Sequence, residues 1–143
     1  MTIRMTRRKF TLATGAAAVA PAPPAFAQTL LMRAIPSSGE RLPAVGLGTA
    51  QVFNGNDEAT QQKAAAVLQA LVAGGGSLVD TASVYGDAEA VIGDVIASAG
   101  LRHKLFIATK LESPDAAELK RSQARLKTEE IDLLQFHNVS DPQ

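Results

Sequence analysis

Short apolar runs alternate along this chain with longer stretches in which hydrophobic residues recur at helical spacing. The apolar runs cover residues 44–49, 77–80, 105–109 and 131–136. The stretches between them carry apolar residues on one helical face and cover residues 57–73, 88–99 and 115–127. This alternation predicts βα units in which helices connect the strands of a parallel sheet.

Polar residues indicate where the predicted helices begin. Asn56 or Asp57 can cap the first helix with a side-chain oxygen. Ser113 and Pro114 predict the N-cap and the first position of the third helix, since proline is favoured there. A turn rich in proline and glycine at residues 36–39 also predicts a hairpin before the first βα unit.

Four parallel strands joined by helices fit two architectures. They can form an open doubly wound sheet or part of a (β/α)8 barrel, and periodicity alone does not separate the two. Gly46 and Gly48 lack the third glycine of the G-x-G-x-x-G motif, which weakens a Rossmann interpretation. A closed barrel usually needs about 250 residues. The chain has 143 residues, so a barrel interpretation predicts only part of one.

The first 27 residues differ in composition from the rest. Arg7 and Arg8 precede a mildly apolar run at 10–20, and residues 25–27 form a small-x-small cleavage pattern. This segment resembles a twin-arginine (Tat) export signal. It predicts a signal peptide at 1–27, recognition by the Tat export machinery, and a mature domain at 28–143.

The predicted signal determines the compartment in which the mature domain is expected. The mature domain is expected in the periplasm or secreted, or in the cytoplasm if the N-terminus is not a functional signal. The apolar run is shorter than the about 20 residues that span a membrane, so no stable membrane anchoring is expected.

Charge and composition exclude several classes of protein. Lys plus Arg and Asp plus Glu each number 14, so the chain lacks the basic excess typical of nucleic-acid binding. Residues 1–27 hold four of the basic residues and no acidic one, which leaves 14 − 4 = 10 basic against 14 acidic residues in 28–143. There is no cysteine, which excludes disulfides, thiolate zinc sites and cysteine nucleophiles, and no metal site is predicted.

Four polar residues fall at or just after the C-terminal ends of predicted strands: Asp80, Tyr85, Lys110 and His137. In parallel α/β folds these ends share one face, where active sites lie. A tyrosine hydroxyl has an ordinary pKa of about 10 and becomes a better proton donor beside an ammonium such as that of Lys110. Asp80 can hold this ammonium, and His137 can hydrogen-bond the oxygen that Tyr85 protonates. The set suits reduction of a carbonyl by hydride from a nicotinamide.

Sequence motifs at these strand ends carry a resemblance to a known family. They are Leu-Pro-Ala-Val-Gly-Leu-Gly-Thr at 42–49, Leu-Val-Asp-Thr-Ala-Ser-Val-Tyr-Gly at 78–86, Ala-Thr-Lys at 108–110 and Ile-Asp-Leu-Leu-Gln-Phe-His at 131–137. In order and spacing they resemble the aldo-keto reductases. The resemblance implies an α/β fold, in which residues 28–143 form the N-terminal half of a (β/α)8 TIM barrel: a hairpin, four strands and three helices.

The same resemblance implies an activity. It is that of an NADP-dependent oxidoreductase, which reduces a small-molecule aldehyde or ketone to an alcohol with NADPH. By position, Tyr85 is the general acid, Lys110 and Asp80 tune it, and His137 orients the carbonyl. The resemblance assigns contacts with the cofactor to Gly48, Thr49 and Asp80.

Two alternatives to an enzyme stay open at this point. A half barrel has open strand edges and uncovered apolar faces, both of which favour association. The chain is therefore also compatible with a truncated non-catalytic fragment, or with a half barrel that self-associates into a binding protein.

Overall fold

A computed structural model describes residues 29–140, which contain six short strands and three α-helices. In chain order these are β1 (Met32–Ala34), β2 (Arg41–Pro43), β3 (Leu47–Gly48), α1 (Glu58–Ala73), β4 (Leu78–Asp80), α2 (Ala88–Ala99), β5 (Phe106–Leu111), α3 (Ala116–Leu126) and β6 (Leu133–Phe136). None of these helices is long and apolar enough to cross a membrane. The predicted export signal, residues 1–27, lies outside the described residues and stays a prediction.

The strands form a hairpin and a parallel sheet, as the sequence predicts. β1 and β2 pair antiparallel, and β3, β4, β5 and β6 pair in parallel in the order of the sequence. An open doubly wound sheet reverses its strand order partway across, whereas strands of a barrel follow one another in sequence. Each helix packs on the next, α1 on α2 and α2 on α3, as expected for the outer layer of a barrel. The described chain is therefore part of a (β/α)8 barrel.

Side-chain caps fix the beginnings of two helices. Asp57 caps α1 by accepting a 3.0 Å hydrogen bond from the Thr60 amide, as predicted. The predicted cap of the third helix is wrong: Asp115, not Ser113, caps α3 and accepts a 2.9 Å bond from the Ala117 amide. α3 begins at Ala116, so Asp115 occupies the N-cap position, and the Ser113 amide and hydroxyl both donate to a glutamate within α3.

The hydrophobic core lies between the sheet and the helices. Its fully buried side chains include Leu68 of α1, Val79 of β4, Ile92 of α2, Ile107 of β5 and Leu126 of α3. The apolar stripe predicted for α2 is buried throughout, whereas α1 and α3 bury only part of theirs. This packing fixes the C-terminal ends of the strands relative to one another.

Helices α2 and α3 approach closely at Gly93. A Cβ atom added there would lie 2.1 Å from the carbonyl oxygen of Arg125 and 2.7 Å from the carbonyl carbon of Leu126. Only glycine fits this contact between two backbones, because a Cβ would overlap an atom that cannot rotate away.

Candidate active site

The four predicted site residues meet at the C-terminal ends of the parallel strands. Asp80 is the last residue of β4, and Tyr85 lies in the loop that follows it. Lys110 is the penultimate residue of β5, and His137 directly follows β6. The backbone amide of His137 donates a 2.7 Å bond to the carbonyl of Leu111, which anchors His137 beside the end of β5.

Lys110 and Asp80 form the charged centre of the site. The Lys110 ammonium donates to both carboxylate oxygens of Asp80, at 2.8 and 2.7 Å, and to the carbonyl of Thr81 at 3.0 Å. All three N–H donors of the ammonium are thus used, which fixes the position of the positive charge. The Lys110 side chain is 17% exposed and that of Asp80 is 40% exposed, so the pair lies at the rim of the sheet and is accessible to a ligand.

The Tyr85 ring lies near both the ammonium and the imidazole. The Lys110 nitrogen is 5.2 Å from the centre of the Tyr85 ring, within the range of a cation–π contact. The His137 ring meets the Tyr85 ring edge-on, with 5.7 Å between ring centres and 83° between ring planes. Four residues predicted separately from strand ends therefore form one cluster.

Gly48 and Thr49 differ in their surroundings. The Thr49 amide and hydroxyl both donate to the carbonyl of Asp80, at 3.1 and 3.0 Å, so this buried residue ties the end of β3 to β4. A Cβ added at Gly48 would meet no atom within 4 Å, so the backbone there borders open space. A flat ligand can approach the sheet at Gly48, while the Thr49 side chain already has an internal partner.

The sequence interpretation missed a buried carboxylate beside the cluster. Glu89 of α2 is 1% exposed; it accepts a 2.7 Å bond from the Thr109 hydroxyl and lies 3.4 Å from the Arg125 guanidinium. A charged residue within a helix is ordinarily expected on its solvent-facing side. Its spacing indicates burial instead, because Glu89 lies three residues before Ile92 and seven before Ile96 on the apolar stripe.

Glu118 of α3 is a second missed residue. It accepts hydrogen bonds from the Ser83 hydroxyl at 2.6 Å, from the Glu112 amide at 3.1 Å, and from the Ser113 amide and hydroxyl at 3.3 and 3.2 Å. The bond from Ser83 contributes most to lowering the pKa of the Glu118 carboxyl from 4.5 to about 2, and the Glu112 amide adds to it.

The lowered pKa of Glu118 predicts a pH dependence of stability. A carboxyl with a lower pKa in the folded than in the unfolded chain stabilises the fold above pH 4.5, and this contribution is lost as the pH falls towards about 2. Glu118→Gln should therefore flatten the fall in the free energy of unfolding over this interval, as measured by urea titrations at a series of pH values. Glu129→Gln, an exposed residue without a side-chain hydrogen bond within 29–140, is the control and should keep the wild-type slope. Equal slopes in Glu118→Gln and wild type would contradict the prediction.

Within residues 29–140, no group of three or more histidine, aspartate or glutamate side chains is placed to hold a metal ion. The cluster instead offers a hydroxyl, an ammonium, a carboxylate and an imidazole. These groups suit proton transfer to an oxygen atom.

Comparison with known proteins finds one family throughout. The model of the "Aldo/keto reductase family" matches residues 44–142. An aldo-keto reductase of Mycobacterium tuberculosis is 34% identical over 108 residues, which cover 71% of this chain and 36% of that protein. The methylglyoxal reductase of Escherichia coli K12 is 36% identical over 104 residues, which cover 67% and 35%.

A solved structure agrees with the fold. The aldo-keto reductase of Klebsiella pneumoniae in complex with NADPH superposes with a TM-score of 0.62 and 31% identity, covering 73% of this chain and 38% of that one. The predicted partial barrel is thereby confirmed. The chain spans about a third of the length of the curated relatives it matches.

Proposed function

Since the chain belongs to the aldo/keto reductase family, we propose that it carries the catalytic face of an NADPH-dependent oxidoreductase that reduces an aldehyde or ketone to an alcohol. One observation carries the proposal: the Lys110 ammonium is held by Asp80 at 2.7 Å and lies 5.2 Å from the ring of Tyr85. This arrangement places a fixed positive charge near the ring of the tyrosine whose hydroxyl is proposed as the acid.

These contacts support a proposed route for the proton. The Tyr85 hydroxyl donates its proton to the carbonyl oxygen, on which negative charge develops as the carbon is reduced. The Lys110 ammonium stabilises the tyrosinate that remains, and Asp80 keeps the ammonium in place. The edge-on contact between His137 and Tyr85 supports His137 as a second donor to the same oxygen. Tyr85 then regains a proton from solvent, which completes the cycle.

The residues at the end of β3 fit the nicotinamide of the cofactor. A flat ring needs close approach to the backbone, and the open space beside Gly48 allows it. Thr49 holds this segment against Asp80. We propose that Gly48, Thr49 and Asp80 border the nicotinamide. NADPH, when bound, supplies the hydride that adds to the carbonyl carbon.

The substrate is proposed only by class. One relative is a methylglyoxal reductase, and methylglyoxal is a small ketoaldehyde. The cluster of this chain offers a proton donor and an imidazole for a carbonyl oxygen, which suits the same class of small carbonyl compounds.

Removing the ammonium tests the proposal. Lys110→Met keeps most of the length of the side chain and should lower kcat for NADPH-dependent reduction of methylglyoxal by about 100-fold, within the usual range for acid–base catalysis. The control is Lys104→Met, since Lys104 is exposed in the turn before β5, at the opposite end of the strand. Activity is followed by loss of NADPH absorbance, and cofactor binding by fluorescence titration. Wild-type kcat in Lys110→Met would contradict the role of Lys110.

A second candidate, a self-associating half barrel, has its own observation. β6 pairs only with β5 among the described strands, and its Leu133, Leu134 and Phe136 are 43%, 42% and 52% exposed. Such apolar surface favours association. Light scattering on the same preparation distinguishes the candidates, because a discrete dimer that binds no NADPH supports the second and a monomer that oxidises NADPH supports the first.

A further inference from the structure

The loop that carries Tyr85 is attached to α3 through Ser83, two residues earlier. The Ser83 hydroxyl donates to Glu118 at 2.6 Å, its amide donates to the Lys110 carbonyl at 2.9 Å, and its carbonyl accepts from the Arg125 guanidinium at 3.1 Å. Each polar group of Ser83 therefore has a partner outside its own loop. The residue cannot shift without breaking at least one of these bonds.

Glu118 also holds the segment that follows Lys110. The amides of Glu112 and Ser113 and the hydroxyl of Ser113 donate to its two oxygens at 3.1 to 3.3 Å. With the Ser83 hydroxyl, these contacts fill the about four acceptor positions of a carboxylate. One side chain of α3 therefore connects the loop after β4, which carries Tyr85, with the end of β5, which carries Lys110.

Arg125 reinforces this connection from the same helix. It lies seven residues, or two helical turns, after Glu118, so both side chains leave the same face of α3. Its guanidinium contacts the Ser83 carbonyl at 3.1 Å and the buried Glu89 carboxylate at 3.4 Å. Ser83 is thus held at its hydroxyl by Glu118 and at its carbonyl by Arg125.

The turn between Ser83 and Tyr85 is short and internally bonded. The Tyr85 amide donates to the Ala82 carbonyl at 3.1 Å, and the Ala88 amide donates to the Tyr85 carbonyl at 3.1 Å. A displacement of Ser83 therefore passes to the Tyr85 backbone rather than being absorbed by a flexible linker.

We propose that Ser83 and Glu118 are positioning residues: their hydrogen bond sets the position of the Tyr85 ring relative to Lys110. The expected effect on kcat rests on the proposed function. Neither residue transfers a proton, and Glu118 acts on Tyr85 through Ser83. A misplacement of about 1 Å can lower a catalysed rate about 100-fold, so a small shift of Tyr85 is sufficient to affect kcat.

The composition of the chain supplies a readout that needs no activity. Tyr85 is the only tyrosine and there is no tryptophan, so a chain labelled with 3-fluorotyrosine gives one ¹⁹F resonance and its tyrosine emission comes from Tyr85 alone. The full 143-residue chain is used. Ser83→Ala removes the donor of the bond. Glu118→Gln replaces a carboxylate that accepts four hydrogen bonds on two oxygens by a neutral amide with one acceptor oxygen. Ser83→Thr retains the hydroxyl. Glu112→Gln is the matched control, since only the backbone of Glu112 contacts Glu118.

We expect Ser83→Ala and Glu118→Gln to shift or broaden the ¹⁹F line and to increase acrylamide quenching of tyrosine emission. Ser83→Thr and Glu112→Gln should keep the wild-type line. In the kinetic assay, kcat should fall about tenfold or more while KM changes less. The double variant should lose less than the sum of the two single losses, because the Ser83–Glu118 bond is affected by both changes.

An unchanged line and unchanged quenching in Ser83→Ala, with wild-type circular dichroism, would overturn the inference. The same holds if Glu112→Gln perturbs Tyr85 as much as Glu118→Gln does. If Glu118→Gln does not fold, the milder Ser83→Ala decides. A perturbed ¹⁹F line in a chain that reduces no carbonyl would support the positioning of Tyr85 and refute the proposed function, so the two failures are distinguishable.

Discussion

Tyr85→Phe is expected to lower kcat for carbonyl reduction by about 100- to 10,000-fold, the range for loss of a general acid. The substitution removes only the hydroxyl. The ring that meets His137 edge-on and lies 5.2 Å from the Lys110 nitrogen keeps its size and its apolar contacts. NADPH binding and the fold should therefore be retained. Steady-state kinetics measure the first effect, and fluorescence titration and circular dichroism measure the others.

The matched control for this substitution is Val84→Ala in the same loop. Val84 is 41% exposed, so its truncation tests whether any change in this loop impairs the enzyme. Val84→Ala should keep kcat close to that of the wild type. If Tyr85→Phe retained more than about a tenth of wild-type kcat, the proton would come from another group, and His137 would be the next candidate.

The contact between Asp80 and Lys110 was predictable from sequence because it depends on register. Asp80 pairs with Ala108 in the parallel ladder between β4 and β5. Lys110 lies two residues beyond Ala108 and so emerges on the same face of the sheet. Its long side chain can reach back to the carboxylate of the neighbouring strand. Locating the strand ends from the hydrophobic pattern was therefore sufficient to predict this pair.

The choice between a barrel and an open sheet was not predictable from periodicity. Both architectures use the same βα units, and the apolar spacing of α1 to α3 fits either. The order in which β3 to β6 pair decides between them. That order depends on contacts between segments far apart in sequence, whereas hydrophobic spacing describes each segment separately.

The contacts of Ser83 show the limit of local patterns most directly. Ser83 and Glu118 are 35 positions apart, and nothing in either segment indicates the other. The wrong cap for α3 has the same origin, because Ser113 and Asp115 both satisfy the local preference for an N-cap. In the fold the Ser113 hydroxyl donates to Glu118, and Asp115 accepts from the Ala117 amide at the start of α3.

Gly93→Ala is expected to destabilise the chain by about 3 kcal/mol, the upper end of the usual cost of overpacking. Helix propensity alone would predict the opposite change in stability, since alanine favours a helix by about 1 kcal/mol over glycine. Here the added Cβ would lie 2.1 Å from the Arg125 carbonyl oxygen and 2.8 Å from the Leu126 Cα. These are backbone atoms, so α2 and α3 must separate to make room.

The consequences of that separation extend to the site, because Arg125 also contacts Ser83. Urea unfolding should give a lower midpoint for Gly93→Ala, and ¹⁹F NMR should show a displaced Tyr85. The control is Ala97→Gly on the exposed side of the same helix, where propensity alone predicts a loss of about 1 kcal/mol. If Gly93→Ala were as stable as wild type, α2 and α3 would have to lie farther apart than the contact between Gly93 and Arg125 requires. The attachment of the Tyr85 loop to α3 would then lose its structural basis as well.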